Sequence, residues 1–352
     1  MSYIAKPRVP HEGREVNALG LPRADYEGFM STLCAGCGHD SVTAAMTRAF
    51  FELSIPPHRA VKISGIGCSS KTTAYFLGQS HGNNTAHGRM PSIATGTQAA
   101  NRDLHCIGVS GDGDTLSIGL GQFAHAIRRN LDMLYVIENN GVYGLTKGQF
   151  SASAALGARP KKGEANVQMP IDPVKTALAL GASFIARSFS GDKAQLVPLI
   201  KAGLSHRGFA LLDVLSPCVT FNDHEDSTMS YAYAYQNLQP AADADFIDPN
   251  REEIVADYDQ GDVIPVTLHD GSKIVLKKAD EDYDPRDRGR AFDYIERHQE
   301  QGQIVTGLLY IDETMADMHE ANKTVGTPLV DLPFEDLCPG SAALAGLQER
   351  YR

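Results

Sequence analysis

Apolar residues return along this chain with two spacings. Between residues 38 and 218, short apolar runs alternate with stretches in which apolar positions recur every three or four residues. The first spacing belongs to buried strands and the second to helices. Residues 40–53 read as a helix and 60–64 as a short buried strand; 104–110 (LHCIGVS) and 133–137 (MLYVI) read as two further strands. Between the last two lies TLSIGLGQFAHAIRRN, whose Leu116, Leu120, Phe123 and Ile127 share one helix face. A helix near 172–180, a strand near 183–187, a helix near 193–204 and a strand at 209–215 complete the series. Strand and helix in alternation predict βαβ units, hence an α/β fold with a doubly wound, mostly parallel sheet.

The flanks differ from this middle. Residues 1–30 read as an irregular polar N-terminal arm, 31–221 as the α/β domain, and 222–352 as an acidic C-terminal lobe or arm. Residues 241–300 hold 17 Asp/Glu against 8 Lys/Arg, so most of the chain's net −11 lies there. Such a run reads as a solvated surface. Within it, VIPVTL-HDGS-KIVL reads as a hairpin around Asp270-Gly271. Residues 292–299 read as a short helix and 303–311 as a strand. With 42% apolar and 21% charged residues the chain can bury a sizeable core. Its acidic balance makes it a poor binder of nucleic acid or anionic membrane. No apolar run approaches the roughly 18 residues of a membrane span, and MSYIAKPRVPHEGREVN lacks the apolar region of a secretory signal. A cytoplasmic location is expected, and there six Cys suggest metal or catalysis sooner than disulfides.

Three constellations carry chemistry. Gly111-Asp112-Gly113 ends one strand and Asn139-Asn140 ends the next, so both stand at the carboxyl edge of a parallel sheet, where such folds bind ligands. A carboxylate and an amide oxygen there suit a hard cation such as Mg²⁺ that also takes phosphate oxygens. Gly113 allows close backbone approach, and a helix starting near Asp114 or Thr115 offers N–H groups to an anion. The second constellation is sulfur: Cys34-Ala35-Gly36-Cys37, then Cys68 in GIGCSS, then Cys218 in SPC. Four thiolates on loops fit a tetrahedral zinc or an iron–sulfur cluster, and spacing alone leaves both open. Cys106, inside a strand, reads as a small buried hydrophobe, and Cys338 has no assigned role. The third is Thr85-Ala86-His87-Gly88-Arg89 with Ile93-Ala94-Thr95-Gly96, which alone says only a polar loop before a helix. Gly65–Ser70 imitates a dinucleotide fingerprint but lacks its third Gly and its later acidic residue. Ser70-Lys71-Thr72 lacks the Gly before Lys that a phosphate loop needs.

The GDG–NN pair resembles the thiamine diphosphate motif, which implies Mg²⁺ ligands at Asp112, Asn140 and the Val142 carbonyl. Together, CAGCGH at 34–39, SGIGCSSK at 64–71, HGR at 87–89, ATG at 94–96, GDGD at 111–114, NNGVYGLTKGQ at 139–149 and SPC at 216–218 resemble the β subunit of 2-oxoacid:ferredoxin oxidoreductases. The resemblance covers about residues 30–220 and is most like the 2-oxoglutarate type. It implies a [4Fe–4S] cluster on Cys34, Cys37, Cys68 and Cys218. It also implies thiamine diphosphate contacts from Ile66, Gly67, Cys68, Ser69, His87, Gly113, Asp114, Gly144 and Leu145. His39 of the CGH motif is expected either to support its loop or to touch the cofactor.

The implied reaction is oxidative decarboxylation of a 2-oxoacid, with electrons leaving singly through the cluster to ferredoxin and the acyl group passing to coenzyme A. It is reversible towards CO₂ fixation with a sufficiently reducing donor. Thiamine enzymes need a Glu beside the aminopyrimidine, normally on a second α/β domain, and only one such domain is legible here. An α subunit is therefore expected to supply it, in an αβ or (αβ)2 assembly. The second carboxylate of 2-oxoglutarate calls for a cation, for which Lys71 and Lys147 are the candidates. Ferredoxins are usually acidic, so docking on 241–300 is disfavoured. The competing readings are pyruvate or broad 2-oxoacid specificity, a non-redox thiamine diphosphate decarboxylase subunit, and a zinc-stapled scaffold subunit.

Overall fold

A computed structural model describes residues 15–159, 164–247, 263–278 and 283–352. Residues 1–14 of the expected N-terminal arm lie outside the described residues, as do 248–262 and 279–282 of the acidic stretch. The strands are β1 (Ala60–Ser64), β2 (His81–Asn84), β3 (His105–Gly111), β4 (Met133–Asn139), β5 (Val142–Tyr143), β6 (Gln149–Phe150), β7 (Phe184–Phe189), β8 (Phe209–Leu215), β9 (Leu238–Pro240), β10 (Ala242–Ile247), β11 (Val263–Thr267), β12 (Lys273–Lys278) and β13 (Ile304–Ile311). The helices are α1 (Gly38–Glu52), α2 (Ser69–Thr72), α3 (Met90–Ala100), α4 (Leu120–Arg128), α5 (Pro173–Leu180), α6 (Lys193–Ser205), α7 (Tyr231–Asn237), α8 (Arg288–Glu300), α9 (Met318–Asn322), α10 (Phe334–Leu337) and α11 (Gly340–Glu349).

Eight strands form one sheet in the order β2-β1-β3-β4-β8-β7-β13-β9. It is parallel from β2 to β7; β13 then runs antiparallel to β7, and β9 parallel to β13. Every residue of β4, β7 and β8 is buried, as expected of central strands covered on both faces. Side-chain alternation divides the core. Leu134 and Val136 of β4 join Val42 and Met46 of α1 and Leu196 and Ile200 of α6 on one face. Met133, Tyr135 and Ile137 meet Met90, Phe123, Val174 and Ile295, from α3, α4, α5 and α8, on the other. The doubly wound α/β expectation is met. β10, β12 and β11 form a separate antiparallel sheet, with the expected hairpin turn at Asp270-Gly271 and Gly271 at φ +85°.

The stretch from residue 222 onward thus contributes β9 and β13 to the main sheet. It also contains a segment of different character. From Lys323 to Arg352 every residue but Pro328 and Leu332 is exposed.

The helix face read between Leu116 and Ile127 is broken. A π-helical turn, Gly113–Ile118, precedes α4. The Gly119 N–H donates to the Asp114 carbonyl across five residues at 2.8 Å. A side chain at Gly119 would meet the Gly88 backbone at 3.0 Å. The loop before α3 therefore presses on this turn, and a wider turn at such a place is common near ligand sites.

Candidate functional site

Three turns at the carboxyl ends of β1, β3 and β4 line one small cavity. They are Ile66–Ser69, Gly111–Asp114, and Asn140 with Val142, Tyr143 and Gly144, with His39 and Glu138 also in its wall. Of the expected cofactor contacts, this brings together Ile66, Gly67, Cys68, Ser69, Gly113, Asp114 and Gly144. His87 and Leu145 do not line it; both are exposed on neighbouring loops.

Asp112 is buried, and its carboxyl takes the Asn140 N–H at 3.3 Å, so the two motif residues face each other. The Asn140 side-chain oxygen accepts from the Val142 N–H at 3.1 Å. The other Asp112 oxygen accepts from the hydroxyls of Ser151 and Ser153, the latter at 2.7 Å. Burial pushes the Asp112 pKa up, against the pull of Ser151, Ser153 and the Asn140 N–H. No basic side chain forms an ion pair with Asp112 among the described residues. A buried carboxylate served only by neutral donors is a fitting ligand for a cation.

Asp114 has a different task. Its carboxylate accepts from the Gly88 N–H at 2.6 Å and the Ser110 hydroxyl at 2.8 Å, tying the His87 loop to the sheet edge. Gly113 is explained by a neighbour: an added Cβ would stand 2.5 Å from Tyr143 Cε1, and the Tyr143 hydroxyl donates to the Gly113 carbonyl at 3.0 Å.

The four loop cysteines gather beside this cavity. A methyl placed on Gly144 would lie 3.4 Å from Cys218 Sγ and 3.6 Å from Cys68 Sγ. The Thr220 hydroxyl reaches Cys34 Sγ at 3.5 Å. Burial pushes the Cys37 thiol up to about 12, with Glu138, Cys218 and Cys68 adding to the rise against the His39 N–H. Burial also raises Cys68; Cys218 and Cys34 add to it and Lys71 opposes. Thiols that hinder one another's ionisation suit a strongly cationic centre. Among the described residues no three His, Cys, Asp or Glu side chains close to the spacing of a single metal ion. His39 supports its loop: its buried Nδ1 lies 2.5 Å from Ser216 Oγ, linking the Cys37 and Cys218 segments. Cys106 is buried in β3 and Cys338 exposed.

Of the two candidate lysines, Lys147 is exposed at the tip of the β5–β6 ribbon, held at φ +81° by the turn that bonds Gly148 N–H to the Tyr143 carbonyl. Such strain in a non-glycine residue gathers at ligand loops. Lys71 is half-buried in α2, near Cys68. Neither forms an ion pair among the described residues.

Sequence reasoning passed over Ser151, Ser153, Tyr143 and Glu138. The Glu138 carboxyl is wholly buried, neither oxygen has a well-formed hydrogen bond among the described residues, and it stands 3.7 Å from His39 Nδ1. Burial drives its pKa well above the ordinary carboxylate value. It also passed over a buried network beneath the site. Arg187 Nη2 bonds Asp172 at 2.6 Å and Arg187 Nε bonds Asp213 at 2.8 Å. Asp213 accepts from the Asn139 amide at 3.1 Å, and the Ser153 hydroxyl reaches both Asn139 Oδ1 and Asp112.

This sheet order and this edge define a thiamine diphosphate-binding α/β fold. Residues 65–214 match the family described as thiamine pyrophosphate enzyme, C-terminal TPP binding domain. The chain is 42% identical over 191 residues to the 2-oxoacid:ferredoxin oxidoreductase subunit beta of Saccharolobus solfataricus, covering 54% of this chain and 63% of that one. It is 38% identical over 222 residues to the 2-oxoglutarate synthase subunit KorB of Methanocaldococcus jannaschii, covering 63% of this chain and 74% of that one. A solved 2-oxoglutarate:ferredoxin oxidoreductase from Magnetococcus marinus, with 2-oxoglutarate, coenzyme A and succinyl-CoA bound, superposes with a TM-score of 0.69 at 30% identity, over 89% of this chain and 90% of that one. This chain belongs to the β-subunit family of the 2-oxoacid:ferredoxin oxidoreductases. It spans less than two thirds of the length of the Saccharolobus relative. No helix among the described residues is long and apolar enough to cross a membrane.

Proposed function

We propose that the chain is the β subunit of a coenzyme A-dependent 2-oxoacid:ferredoxin oxidoreductase acting on 2-oxoglutarate to give succinyl-CoA and CO₂. The single observation that carries this is the gathering of four loop thiols beside the Asp112–Asn140 edge. Asp112, Asn140 and the Val142 carbonyl would hold Mg²⁺, and the backbone of Ile66–Ser69, Gly113 and Gly144 would receive the diphosphate. Cys34, Cys37, Cys68 and Cys218 would hold a [4Fe–4S] cluster. Each thiolate of such a cluster binds its own iron, so separated thiols suit it better than they suit one zinc. When bound, thiamine diphosphate supplies the electron sink for decarboxylation, and the cluster a one-electron acceptor. The chain's own residues do the rest: Asp114 holds the His87 loop against the sheet edge, Ser151 and Ser153 orient Asp112, and His39 with Ser216 fixes two cysteine loops. An α subunit would bring the Glu for the pyrimidine and much of the coenzyme A site, and ferredoxin would take the electrons. We place the assembly in the cytoplasm, where its cysteines stay reduced.

Anaerobic purification with the co-expressed α subunit tests the reading. About four irons per β chain, and coenzyme A-dependent reduction of an artificial acceptor with 2-oxoglutarate, are expected. A colourless protein with one zinc would support a scaffold instead, and a colourless one retaining thiamine diphosphate a non-redox decarboxylase. Lys147→Met should raise KM for 2-oxoglutarate far more than for pyruvate; equal effects on both remove Lys147 from the substrate site.

A further inference from the structure

We propose that the cavity at the amino edge of the main sheet is a binding site for a small aliphatic diamine. The inference is independent of the reaction assigned above. The cavity measures about 360 Å³ and is lined by the starts of β3 and β4, the end of α6 and the turn of the β11–β12 hairpin. That volume falls in the range of small-molecule sites, roughly 300–1,000 Å³. Asp112 and Asn140 stand beyond the other ends of β3 and β4, so the cavity is not a recess of the cofactor site.

Charge selects a cation. The wall carries Asp103, Asp132 and Asp270 against Arg102 and Arg207. Arg207 Nη1 is already paired with Glu320 at 3.2 Å, so Arg102 is the one arginine of the wall outside an ion pair among the described residues. None of the three carboxylates has an ion pair there either. The Asp132 carboxyl accepts the Gly208 N–H at 3.4 Å, and Asp270 accepts the Ser272 N–H and hydroxyl, all neutral donors. The histidines of the wall add no charge. His269 Nδ1 accepts the Arg207 N–H at 2.9 Å, so its proton sits on Nε2, 3.1 Å from the Glu313 carbonyl. The Ser183 hydroxyl donates to Asn130 Oδ1 at 2.7 Å, so His206 Nε2 carries the proton between it and Ser183 Oγ at 2.8 Å. His206 Nδ1 is then a buried acceptor without a donor. Burial also holds His105 neutral by lowering its pKa. The last turn of α6, Gly203–Ser205, adds the negative end of a helix dipole.

The wall also narrows the kind of cation. Among the described residues no three His, Cys, Asp or Glu side chains close to the spacing of a metal ion, which disfavours an inorganic one. No Phe, Tyr or Trp lines the cavity, which disfavours a quaternary ammonium that needs aromatic faces. The acceptors call instead for N–H donors, and at two places: at the half-buried Asp132, and at Asp103 and Asp270, which are exposed. Leu53, Ile55, Leu104 and Leu204 line the same space. Ammonium groups at two ends with methylenes between them match both features. Burial pushes the Asp132 pKa up to about 6, and an ammonium beside the carboxylate offsets that penalty.

Calorimetry at neutral pH on the chain assembled with its α subunit tests the proposal, with putrescine, butylamine and butanediol as probes. Putrescine should bind saturably with a Kd below about 1 mM, butylamine at least about tenfold more weakly, and butanediol not at all. Asp132→Asn should weaken putrescine about 10- to 100-fold, and Asp270→Asn, at an exposed site, about 2- to 5-fold, both with unchanged iron content and basal activity. No saturable binding of putrescine up to about 10 mM overturns the proposal. So does butanediol binding as tightly as putrescine, or an Asp132→Asn complex that binds putrescine undiminished. If a variant does not fold, the order of the three probes on the unaltered complex decides.

Discussion

Replacing Arg187 by Met removes the one cation shared by two nearly buried carboxylates. The two are not left equally placed. Asp172 keeps the Gln299 amide at 2.5 Å and the N–H groups of Val174 and Lys175 at 2.8 and 3.2 Å. Among the described residues Asp213 keeps only the Asn139 amide at 3.1 Å. Arg187 now holds the Asp172 carboxyl below its ordinary range, although burial opposes it, whereas burial already keeps Asp213 above it. The cost therefore falls mainly on Asp213, the member with fewer remaining donors. Leaving one buried charge unpaired costs about 3–5 kcal/mol, and the Met side chain recovers part of the packing. Urea unfolding of Arg187→Met should show a loss near that size, shrinking as pH falls and Asp213 takes up a proton. Adding Asp172→Asn and Asp213→Asn should restore most of it, because an uncharged cluster has no ion to desolvate. A loss below about 1 kcal/mol, or no recovery in the triple variant, would refute the reasoning. The network also reaches Asn139 and Ser153, so Arg187→Met should weaken Mg²⁺-dependent thiamine diphosphate binding by about 10- to 100-fold, as loss of outer support at metal sites does.

Cys68→Ser or Cys218→Ser should lose cluster iron, while Cys106→Ser should retain it; iron and sulfide analysis of anaerobic protein decides. Asp112→Asn should abolish Mg²⁺-dependent binding of thiamine diphosphate in calorimetry while the metal-free chain melts at the same or a higher temperature, since it no longer buries a desolvated charge. Asp132 lies at the amino edge of β4, where burial pushes its pKa up to about 6 against the Gly208 N–H. From about pH 4 to 6 the folded chain keeps a proton that the unfolded chain has released. Stability therefore falls as pH rises through that window, by at most about 3 kcal/mol and less where water reaches the carboxyl. Asp132→Asn should flatten that slope in denaturant titrations and raise stability at pH 7; an unchanged slope would exclude Asp132 as its source.

Strands buried on both faces were the most legible elements. β8 was read at 209–215 and found there, because FALLDVL is an apolar run ending at Ser216-Pro217. β2 escaped because HGNN is an exposed edge strand with no apolar signal, defined only by its pairing with β1. The segment of β13 was legible but its place was not, since periodicity does not say which strand a strand joins. At the site, the facing of Asp112 and Asn140 could be read from two motifs one βα unit apart. Ser151 and Ser153 reach Asp112 from about 40 residues away and carry no local signal. The charges could have been noticed. Glu138 in MLYVIEN, Arg187 in FIARSF and Asp213 in FALLDVL each interrupt a buried strand, and an ion in such a place needs a partner or a task.

The antiparallel seat of β13 against β7 has a consequence for how the chain is made. While the ribosome is still short of residue 304, β7 has β8 on one side and nothing on the other. A strand buried throughout in the finished fold, with open backbone groups, is then presented to every other nascent chain. Closing that edge brings together residues more than a hundred positions apart, a slow event by loop-closure entropy. Synthesis of this protein should therefore lean on chaperones until its last third emerges.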